Sequence, residues 1–419
     1  MLTSERLAEA CNGDAEFRLA ARWWNGALRF HIGDDVVGIG VRDGVARTIS
    51  AADADVPTVV YAGPPEVWEQ IFAPRPPRFL NDLFPAEAAG AISRSGDELM
   101  YWQYTPAIAR AVEVVRELAA PAVNQARSVP ALSRAGRFDS PIGRYVHVDI
   151  NGTDYRIYFE EAGTGIPLLL QHTAGSHGVQ YRHLFEMPEI TDHFRLIAYD
   201  LPFHGKSVPP VDVAWWTEEY KLTREFAMAL PLALIEALEL ENPAFLGCSV
   251  GGQLALDLAC YHPEAFRAVI ALEPALKLQG DLESLIGFWH PAVSNETKAR
   301  MMRALTAPDA PEALRRETTW AYSAGWPPSF LGDLHYYILD HDLRDLGETI
   351  DTTVCAVHML SGEYDFSGTV ELGREAHEAI AGSTFDEMQA IGHFPMSEDP
   401  ERFKDHLLPI LDAIKRGRG

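Results

Sequence analysis

The amino-acid sequence predicts an α/β protein with a mostly parallel sheet and helices on both of its faces, preceded by a smaller α+β domain. In the second part of the chain, short continuous apolar runs alternate with helix-like stretches, a pattern typical of buried parallel strands. Glycine-containing turns follow several of these runs, as expected where a strand gives way to a helix. A polar, proline-punctuated stretch separates this part from the first 120 residues.

The domain organisation follows from that division. We expect an N-terminal α+β domain at residues 1–120, a linker at 121–142 and an α/β domain at 143–419. Within the α/β domain, residues 275–350 show no strand pattern and predict a helical cap inserted over the sheet.

Composition excludes several classes of function. The 419 residues carry a formal charge of −25, from 35 basic and 60 acidic side chains. Such an acidic surface repels phosphate groups and anionic lipids, which argues against nucleic-acid and membrane-surface binding. We find no secretory signal and no apolar run long enough to span a bilayer. The four cysteines lack C-x-x-C spacing, so we expect no metal site and a reduced, cytoplasmic protein.

The N-terminal domain is predicted from alternating strand and helix patterns. Helix patterns cover residues 17–24, 65–72 and 100–118, and strand patterns cover 27–32, 36–41 and 58–61. The order of elements, with Gly96-Asp97 before the last helix, loosely resembles that of sterol-carrier-protein-2-like domains. The resemblance implies an apolar ligand pocket or a docking role. The alternative is a domain that packs against its neighbour or forms a homodimer, with Trp23, Trp24 and Trp68 in its core.

The second domain opens on a predicted hairpin. Residues 144–149 and 154–159 alternate in polarity and are joined through Asn151-Gly152, a strong turn signal.

Active residues of parallel sheets gather beyond the carboxyl ends of the strands. The predicted buried strands cover residues 167–170, 195–199, 244–246, 268–272 and 354–360, with a helix at 222–238.

Ser249 lies in Gly247-Cys248-Ser249-Val250-Gly251-Gly252, between an apolar run and a helix-like stretch. A strand, a glycine-flanked turn and a helix form the setting of a nucleophile elbow, where a strained turn exposes the serine hydroxyl. The bare G-x-S-x-G pattern is weak, because glycine and serine are common in loops. The motif therefore needs partners elsewhere in the chain.

Four further motifs agree with the elbow in order and spacing. Residues 171–178 (QHTAGSHG) and 200–207 (DLPFHGKS) each follow an apolar strand. Asp365 follows a late strand, and His393 follows the last one. Together the motifs resemble the α/β-hydrolase family over residues 143–416, although Thr173 stands where the family's oxyanion loop usually has glycine. The resemblance implies an α/β-hydrolase fold with a triad in the order serine, acid, histidine.

The chemistry explains these residue types. A serine hydroxyl is a poor nucleophile at neutral pH and needs a base, and an imidazole titrates near that pH. His393 is the candidate base, and Asp365 is the first candidate for the acid that orients it. Glu273, at the end of the strand 268–272, is the alternative acid, because some α/β-hydrolases, including zearalenone-type lactone hydrolases, take their acid from that strand.

The backbone N–H groups of Ala174 and Val250 are the expected oxyanion donors. For the histidines near the site, including His204, the alternative to substrate contact is a structural hydrogen bond. The predicted substrate-binding residues are His172, Thr173, His177, Trp289 and Trp326.

The cap sequence is rich in aromatic residues, which favours a pocket for an apolar or aromatic substrate. We expect at least two or three of them to face the substrate and the others to form the core of the cap. They are Phe288, Trp289, Trp320, Tyr322, Trp326, Phe330, Tyr336 and Tyr337.

The sequence thus predicts a serine hydrolase without a cofactor, which cleaves a carboxylic ester or lactone of an apolar or aromatic small molecule through an acyl-enzyme. One alternative is a carbon–carbon bond hydrolase of diketone-like ring-cleavage products, which would use the same triad. Another is a ligand-binding protein on a hydrolase scaffold. Serine at the elbow disfavours dehalogenases and epoxide hydrolases, whose nucleophile is aspartate.

Overall fold

The structure, a computed structural model, describes residues 2–49, 56–119 and 135–417. Most of the predicted linker, 121–134, lies outside the described residues. The described part of the chain forms two sheets, one of five strands and one of eight. We call residues 2–119 the N-terminal unit.

The N-terminal unit packs its helices against a mixed sheet of order β3-β2-β1-β4-β5, in which β1 and β4 are parallel. The long helix α5 contacts α1, α2 and β4 and has a buried apolar face. The elements are α1 (Ser4–Gly13), α2 (Ala15–Ala20), β1 (Asn25–Ile32), β2 (Asp35–Arg42), β3 (Val45–Thr48), β4 (Thr58–Gly63), α3 (Pro65–Ile71), α4 (Leu83–Ala88), β5 (Ser93–Gly96) and α5 (Glu98–Ala119).

The tryptophans of this unit differ in burial. Trp24 and Trp68 lie in the core as expected, but Trp23 is 72% exposed, so its predicted core position is wrong. Both Trp23 and Trp24 lie in the turn between α2 and β1. Of these two neighbours, Trp24 reaches the core and stacks on Tyr104, whereas Trp23 faces solvent.

The second sheet has the order β13-β12-β11-β10-β8-β9-β7-β6. β7 pairs antiparallel with β6 and β9, and all other neighbours are parallel. The strands are β6 (Ile142–Ile150), β7 (Thr153–Ala162), β8 (Ile166–Gln171), β9 (Phe194–Tyr199), β10 (Ala244–Cys248), β11 (Ala268–Leu272), β12 (Ala356–Gly362) and β13 (Thr384–Met388). The predicted hairpin is present: Ile150 pairs with Thr153, and Asn151 and Gly152 both have positive φ.

Helices cover both faces of this sheet, because successive residues of its buried strands point to opposite sides. Leu169 and Val269 pack into one core with α7, α8 and α12, while Leu168 and Ile270 pack into the other with α6 and α14. The helices of this part are α6 (Pro188–Thr191), α7 (Arg224–Ala237), α8 (Val250–Tyr261), α9 (Asn295–Arg303), α10 (Glu312–Ser323), α11 (Pro327–Leu334), α12 (Val370–Ala379), α13 (Pro395–Glu398) and α14 (Pro400–Lys415).

The insertion between β11 and β12 is helical. It contains α9, α10 and α11, and α11 leads directly into a π-helical turn at His335–Asp340. Across the described residues, no helix combines the length and the apolar character that a bilayer crossing requires.

A buried cluster of charges joins the N-terminal unit to the cap. Glu113 on α5 accepts from Arg300 at 3.1 Å and from Arg303 at 3.0 Å, both on α9. Arg300 also bonds Asp82 at 2.8 Å. Burial alone would raise the pKa of Glu113, but the two guanidinium groups hold that pKa well below its usual range. We call these four residues the Glu113 cluster; it fixes the unit on the cap.

Candidate active site

Ser249 lies in a sharp turn between β10 and α8. Its backbone has φ 59° and ψ −114°, a conformation that costs an L-residue on the order of 1–3 kcal/mol. Only glycine fits on either side: a Cβ on Gly247 would lie 2.1 Å from the Gly251 carbonyl oxygen, and one on Gly252 would lie 2.2 Å from that of Leu272. The segment therefore has the tight geometry expected of a nucleophile elbow, and Ser249 borders a cavity.

His393 and Asp365 form a buried pair beside this turn. The His393 Nδ1 and Asp365 Oδ2 atoms are 2.6 Å apart. Asp365 also accepts the N–H groups of Ser367 at 2.7 Å and Gly368 at 3.0 Å. Burial would raise the pKa of Asp365, but His393 and the two N–H donors keep that pKa below its usual value. Asp365 is thus held as a carboxylate against the imidazole.

Glu273, the alternative acid, bonds a backbone N–H group of β12. It is fully buried at the end of β11, and its two carboxyl oxygens lie 3.1 and 2.9 Å from the Gly362 nitrogen. Burial raises its pKa well above the usual range, and the neighbouring Asp365 raises it further by repulsion and by a hydrogen bond between the two carboxyl groups. Of these two carboxyl groups, Glu273 is therefore the one whose protonated form is favoured.

Glu398 holds the loop on which His393 lies. Its carboxyl group accepts three backbone N–H groups, from Gly392 at 2.6 Å, Ala307 at 3.0 Å and Phe394 at 3.3 Å. The residues on both sides of His393 are thereby tied to one side chain, and Ala307 ties the same side chain to the cap. Burial raises the pKa of Glu398 to about 7, against the lowering effect of these N–H donors.

This shift predicts a pH-dependent stability. The folded pKa of Glu398, about 7, exceeds the ordinary value of 4.5, so the folded state binds the extra proton between these pH values. The contribution of Glu398 to the free energy of unfolding should therefore fall as pH rises through that window, by up to roughly 3 kcal/mol. Glu398→Gln should lose this decline. Urea denaturation at pH 5 and pH 8 measures it, and an equal pH difference in both proteins would contradict the assignment.

Hydrogen bonds from several elements fix the loop after β8. The His172 ring bonds the Thr173 carbonyl oxygen through Nδ1 at 2.8 Å, and the Thr173 N–H donates to Gln180 at 3.1 Å. Gly175 donates its N–H to Asp333 of α11 at 2.8 Å. The loop is therefore anchored to the sheet part and to the cap at once.

Ala174, at the centre of this loop, and Val250, after Ser249, are the two predicted oxyanion donors. Within the described part of the chain, neither backbone N–H group has a hydrogen-bond acceptor. Ala174 borders the cavity together with Ser249. A preorganised, unused N–H donor is what a developing oxyanion needs; Val250 itself is not among the described residues that line the cavity.

The cavity beside Ser249 has a volume of about 480 Å³, within the range of small-molecule sites. His393 and Thr173 border it as well. Apolar side chains of the cap form much of its wall. Four of the eight cap aromatics take part, namely Phe288, Tyr322, Phe330 and Tyr337.

Tyr337 is a cap residue that interacts with Ser249. It lies in the π-helical turn, and its hydroxyl is 3.2 Å from Ser367 Oγ. Burial raises the pKa of Tyr337, and hydrogen bonding with Ser367 and with Ser249 works against that rise. The sequence shows Tyr337 only as one aromatic among eight, because nothing in the local pattern marks a π-helical turn.

Of the predicted substrate-binding residues, Trp289 and Trp326 are not among the described residues that line the cavity. Trp326 stacks on Phe203 with ring centroids 5.5 Å apart, and Trp289 is 45% exposed. Phe288 points inward in place of its neighbour and packs edge-on against Phe330.

The histidines predicted to lie near the substrate, other than His393, are not in the described cavity lining either. His172 is fully buried, and its Nε2 accepts the Leu201 N–H at 3.1 Å. His177 is partly buried and interacts with the Asp200 carboxylate. His204 bonds Asp333 at 2.9 Å. These contacts are the structural role that the sequence left as the alternative.

Comparison with known proteins agrees with this architecture. A family model described as the alpha/beta hydrolase fold matches residues 166–311. A 2-hydroxymuconate semialdehyde hydrolase from Pseudomonas sp. (strain CF600) is 29% identical over 128 residues, which is 30% of this chain and 43% of that protein. That alignment therefore spans less than half of the relative.

Solved structures share the fold. A thermophilic esterase from Thermogutta terrifontis matches with a TM-score of 0.55 and 18% identity, covering 65% of this chain and 99% of the esterase. The enol-lactonase from Burkholderia xenovorans LB400 matches with a TM-score of 0.52 and 20% identity, covering 64% of this chain and 99% of the lactonase. Roughly a third of this chain thus lies outside either match. The chain therefore has the α/β-hydrolase fold, and residues 166–311 are similar to that family.

Proposed function

We propose that this protein is a serine hydrolase that cleaves a carboxylic ester or lactone of an apolar or aromatic small molecule through an acyl-enzyme. One observation carries the proposal: the His393–Asp365 bond of 2.6 Å lies beside a cavity that Ser249 and His393 both border. A nucleophile, a base and the group that orients the base are the parts that acyl transfer needs.

In the first step, His393 Nε2 takes the proton of Ser249 while Ser249 Oγ attacks the carbonyl carbon. The carbonyl π electrons move to oxygen, and the N–H groups of Ala174 and Val250 stabilise this oxyanion. Asp365 keeps the proton on Nδ1 and balances the charge of the imidazolium. His393 then protonates the departing alkoxide as the C–O bond breaks, which leaves an ester of Ser249.

In the second step, water replaces the alcohol. His393 takes a proton from the water, and the hydroxide attacks the acyl carbon. Collapse of the second oxyanion breaks the bond to Ser249, and His393 returns the proton to Oγ. For a lactone the alcohol stays attached to the acyl chain, so a single hydroxy acid leaves.

The cavity supports an apolar or aromatic substrate. Its wall near Ser249 consists largely of aromatic and aliphatic side chains, including Phe330, Leu334 and Ile338. Burial of apolar surface gives roughly 25 cal/mol per Å², so an acyl group of this kind gains binding energy that a charged one lacks.

The test combines a probe with a substrate panel. A fluorophosphonate should label Ser249, as seen by mass spectrometry of the peptide that contains it. p-Nitrophenyl esters and aromatic lactones should be hydrolysed. Absence of both labelling and turnover would overturn the proposal and favour the ligand-binding alternative.

A second candidate activity is carbon–carbon bond hydrolysis of diketone-like ring-cleavage products. The similarity to 2-hydroxymuconate semialdehyde hydrolase favours it. Product analysis separates the two: ester or lactone turnover releases an alcohol and an acid, whereas the second activity breaks a vinylogous diketone without alcohol release.

Three further predictions from the sequence stay proposals. They are the division at residues 1–120, 121–142 and 143–419, residence in the cytoplasm, and a possible homodimer. Size-exclusion chromatography with light scattering tests the last of these. Binding of an apolar ligand by the N-terminal unit alone, as the sterol-carrier-protein-2-like resemblance implies, also stays a prediction.

A further inference from the structure

The cavity at Ser249 is not built by the hydrolase sheet and its cap alone. Part of its lining comes from the N-terminal unit, far away in sequence. We call this part the N-terminal wall, and it consists of Phe84, Glu87, Ala88, Arg94, Tyr101 and Trp102.

The N-terminal wall is held in a fixed position against the site. The Phe84 ring packs edge-on against Phe366, with centroids 5.2 Å apart, and Phe366 directly follows Asp365. Trp102 packs against Phe288 of the cap at 5.0 Å, and Thr297 donates a hydrogen bond of 2.7 Å to the Trp102 carbonyl oxygen. A surface anchored at both the acid loop and the cap can position a ligand.

The wall has an apolar part and a polar part. Phe84 and Trp102 offer aromatic surface, while Arg94 and Glu87 offer hydrogen-bonding groups. Arg94 Nε lies 3.1 Å from both oxygens of Glu87, and its Nη1 lies 2.5 Å from Glu98. The guanidinium also sits over the Tyr101 ring, 3.6 Å from its centroid.

These contacts set the charge that a ligand meets there. Two carboxylates already neutralise Arg94, and Asp281 adds a further negative charge to the cavity lining. The acidic side chains thus outnumber Arg94, and a ligand carboxylate would be repelled by Glu87 and Asp281. A hydroxyl or primary amide fits, because it can both accept from a guanidinium N–H and donate to a carboxyl oxygen.

We propose that the N-terminal wall is a second substrate subsite, which binds the end of the substrate remote from the scissile bond and selects an elongated ester or lactone whose remote end carries a hydroxyl or amide rather than a carboxylate. The subsite deepens the proposed function and rests on it. It gives residues 2–119 a direct part in substrate selection.

Three p-nitrophenyl esters of equal chain length test the polar end: octanoate, 8-hydroxyoctanoate and the monoester of suberic acid, which ends in a carboxylate. For the wild-type protein, kcat/KM should be about two- to tenfold higher for the hydroxy ester than for octanoate, and lowest for the suberate. Glu87→Gln should reduce the advantage of the hydroxy ester. A suberate preference in the wild type would overturn the proposal.

Phe84→Ala tests the apolar part, because Phe84 is only partly buried. The ratio of kcat/KM for octanoate to that for acetate should fall about tenfold, mainly through KM. Arg316→Gln is the matched control: it removes a 2.8 Å ion pair to Glu16 across the same contact between unit and cap, yet Arg316 is outside the cavity lining. It should keep the wild-type ratio. Equal ratios in wild type and Phe84→Ala would overturn the proposal.

A binding measurement separates this proposal from the proposed function. 8-Hydroxyoctanamide lacks an ester, and its dissociation constant can be measured by calorimetry whether or not the protein hydrolyses esters. Phe84→Ala should bind it about tenfold more weakly than the wild type or Arg316→Gln. Equal affinities in all three proteins, or no binding to any of them, would overturn the subsite, whereas failed ester turnover with the expected affinities would overturn only the proposed function.

Discussion

Replacement of Ser249 by alanine should lower kcat for p-nitrophenyl acetate by at least about 10⁴-fold. In the proposed mechanism Ser249 Oγ forms the covalent bond to the acyl group, and His393 and the oxyanion donors assist the formation and the hydrolysis of that acyl-enzyme. Losing one member of a unit of this kind costs nearly as much as losing all of its members. Steady-state kinetics at saturating substrate measures the loss.

The variant should fold normally, because the strained turn depends on the flanking glycines and on the Ser249 N–H bond to Leu272 at 2.9 Å, neither of which needs the hydroxyl. Ser93→Ala, an exposed serine in β5, is the matched control and should keep full activity. Loss of fluorophosphonate labelling in Ser249→Ala, with an unchanged melting temperature, completes the expected result. Retained turnover above a few per cent would show that another group is the nucleophile.

The second large effect distinguishes the two buried acids. Asp365→Asn should lower kcat about 10⁴-fold, because an amide facing Nδ1 donates where the imidazole needs an acceptor and so favours the wrong tautomer. The distance of 2.6 Å between His393 and Asp365 makes this geometry strict.

Glu273→Gln should lower kcat less than tenfold. The protonated form of Glu273 is favoured, and a glutamine amide can donate a hydrogen bond to Asp365 as that form would, while its oxygen accepts the Gly362 N–H. Steady-state kcat values of the two variants, measured side by side, test the assignment. A larger loss in Glu273→Gln than in Asp365→Asn would make Glu273 the acid of the triad.

Much of the hydrolase sheet could be predicted from sequence, because its strands are buried on both faces and read as continuous apolar runs. β11 was predicted at its observed bounds, 268–272. The strand expected at 354–360 lies at Ala356–Gly362. The prediction began two residues too early, because Val354 is apolar like a buried strand residue although it is half exposed. β3 and β5 were not predicted. They are short edge strands with mostly exposed or polar residues, so their sequences lack the alternation of apolar and polar residues that identifies a strand.

The candidate site could likewise be predicted only in part from the sequence. The motifs place Ser249, Asp365 and His393 at strand ends, and the topology brings such ends together. The N-terminal wall has no such signal, because its contact with Ser249 depends on how two units pack. Trp289 and Trp326 were predicted to bind substrate, but only the backbone geometry of the cap decides which aromatic neighbour faces inward.

The Glu113 cluster has a consequence for how such a chain can be recombined. Arg300 and Arg303 on the cap match Glu113 and Asp82 on the N-terminal unit. Separating such a pair leaves a buried charge uncompensated, which typically costs about 3–5 kcal/mol. A chimera that grafts the unit onto another hydrolase should therefore fold well only when α9 travels with it. The N-terminal unit and α9 should therefore be transferred together, although nearly two hundred residues separate Glu113 from Arg300 in the chain.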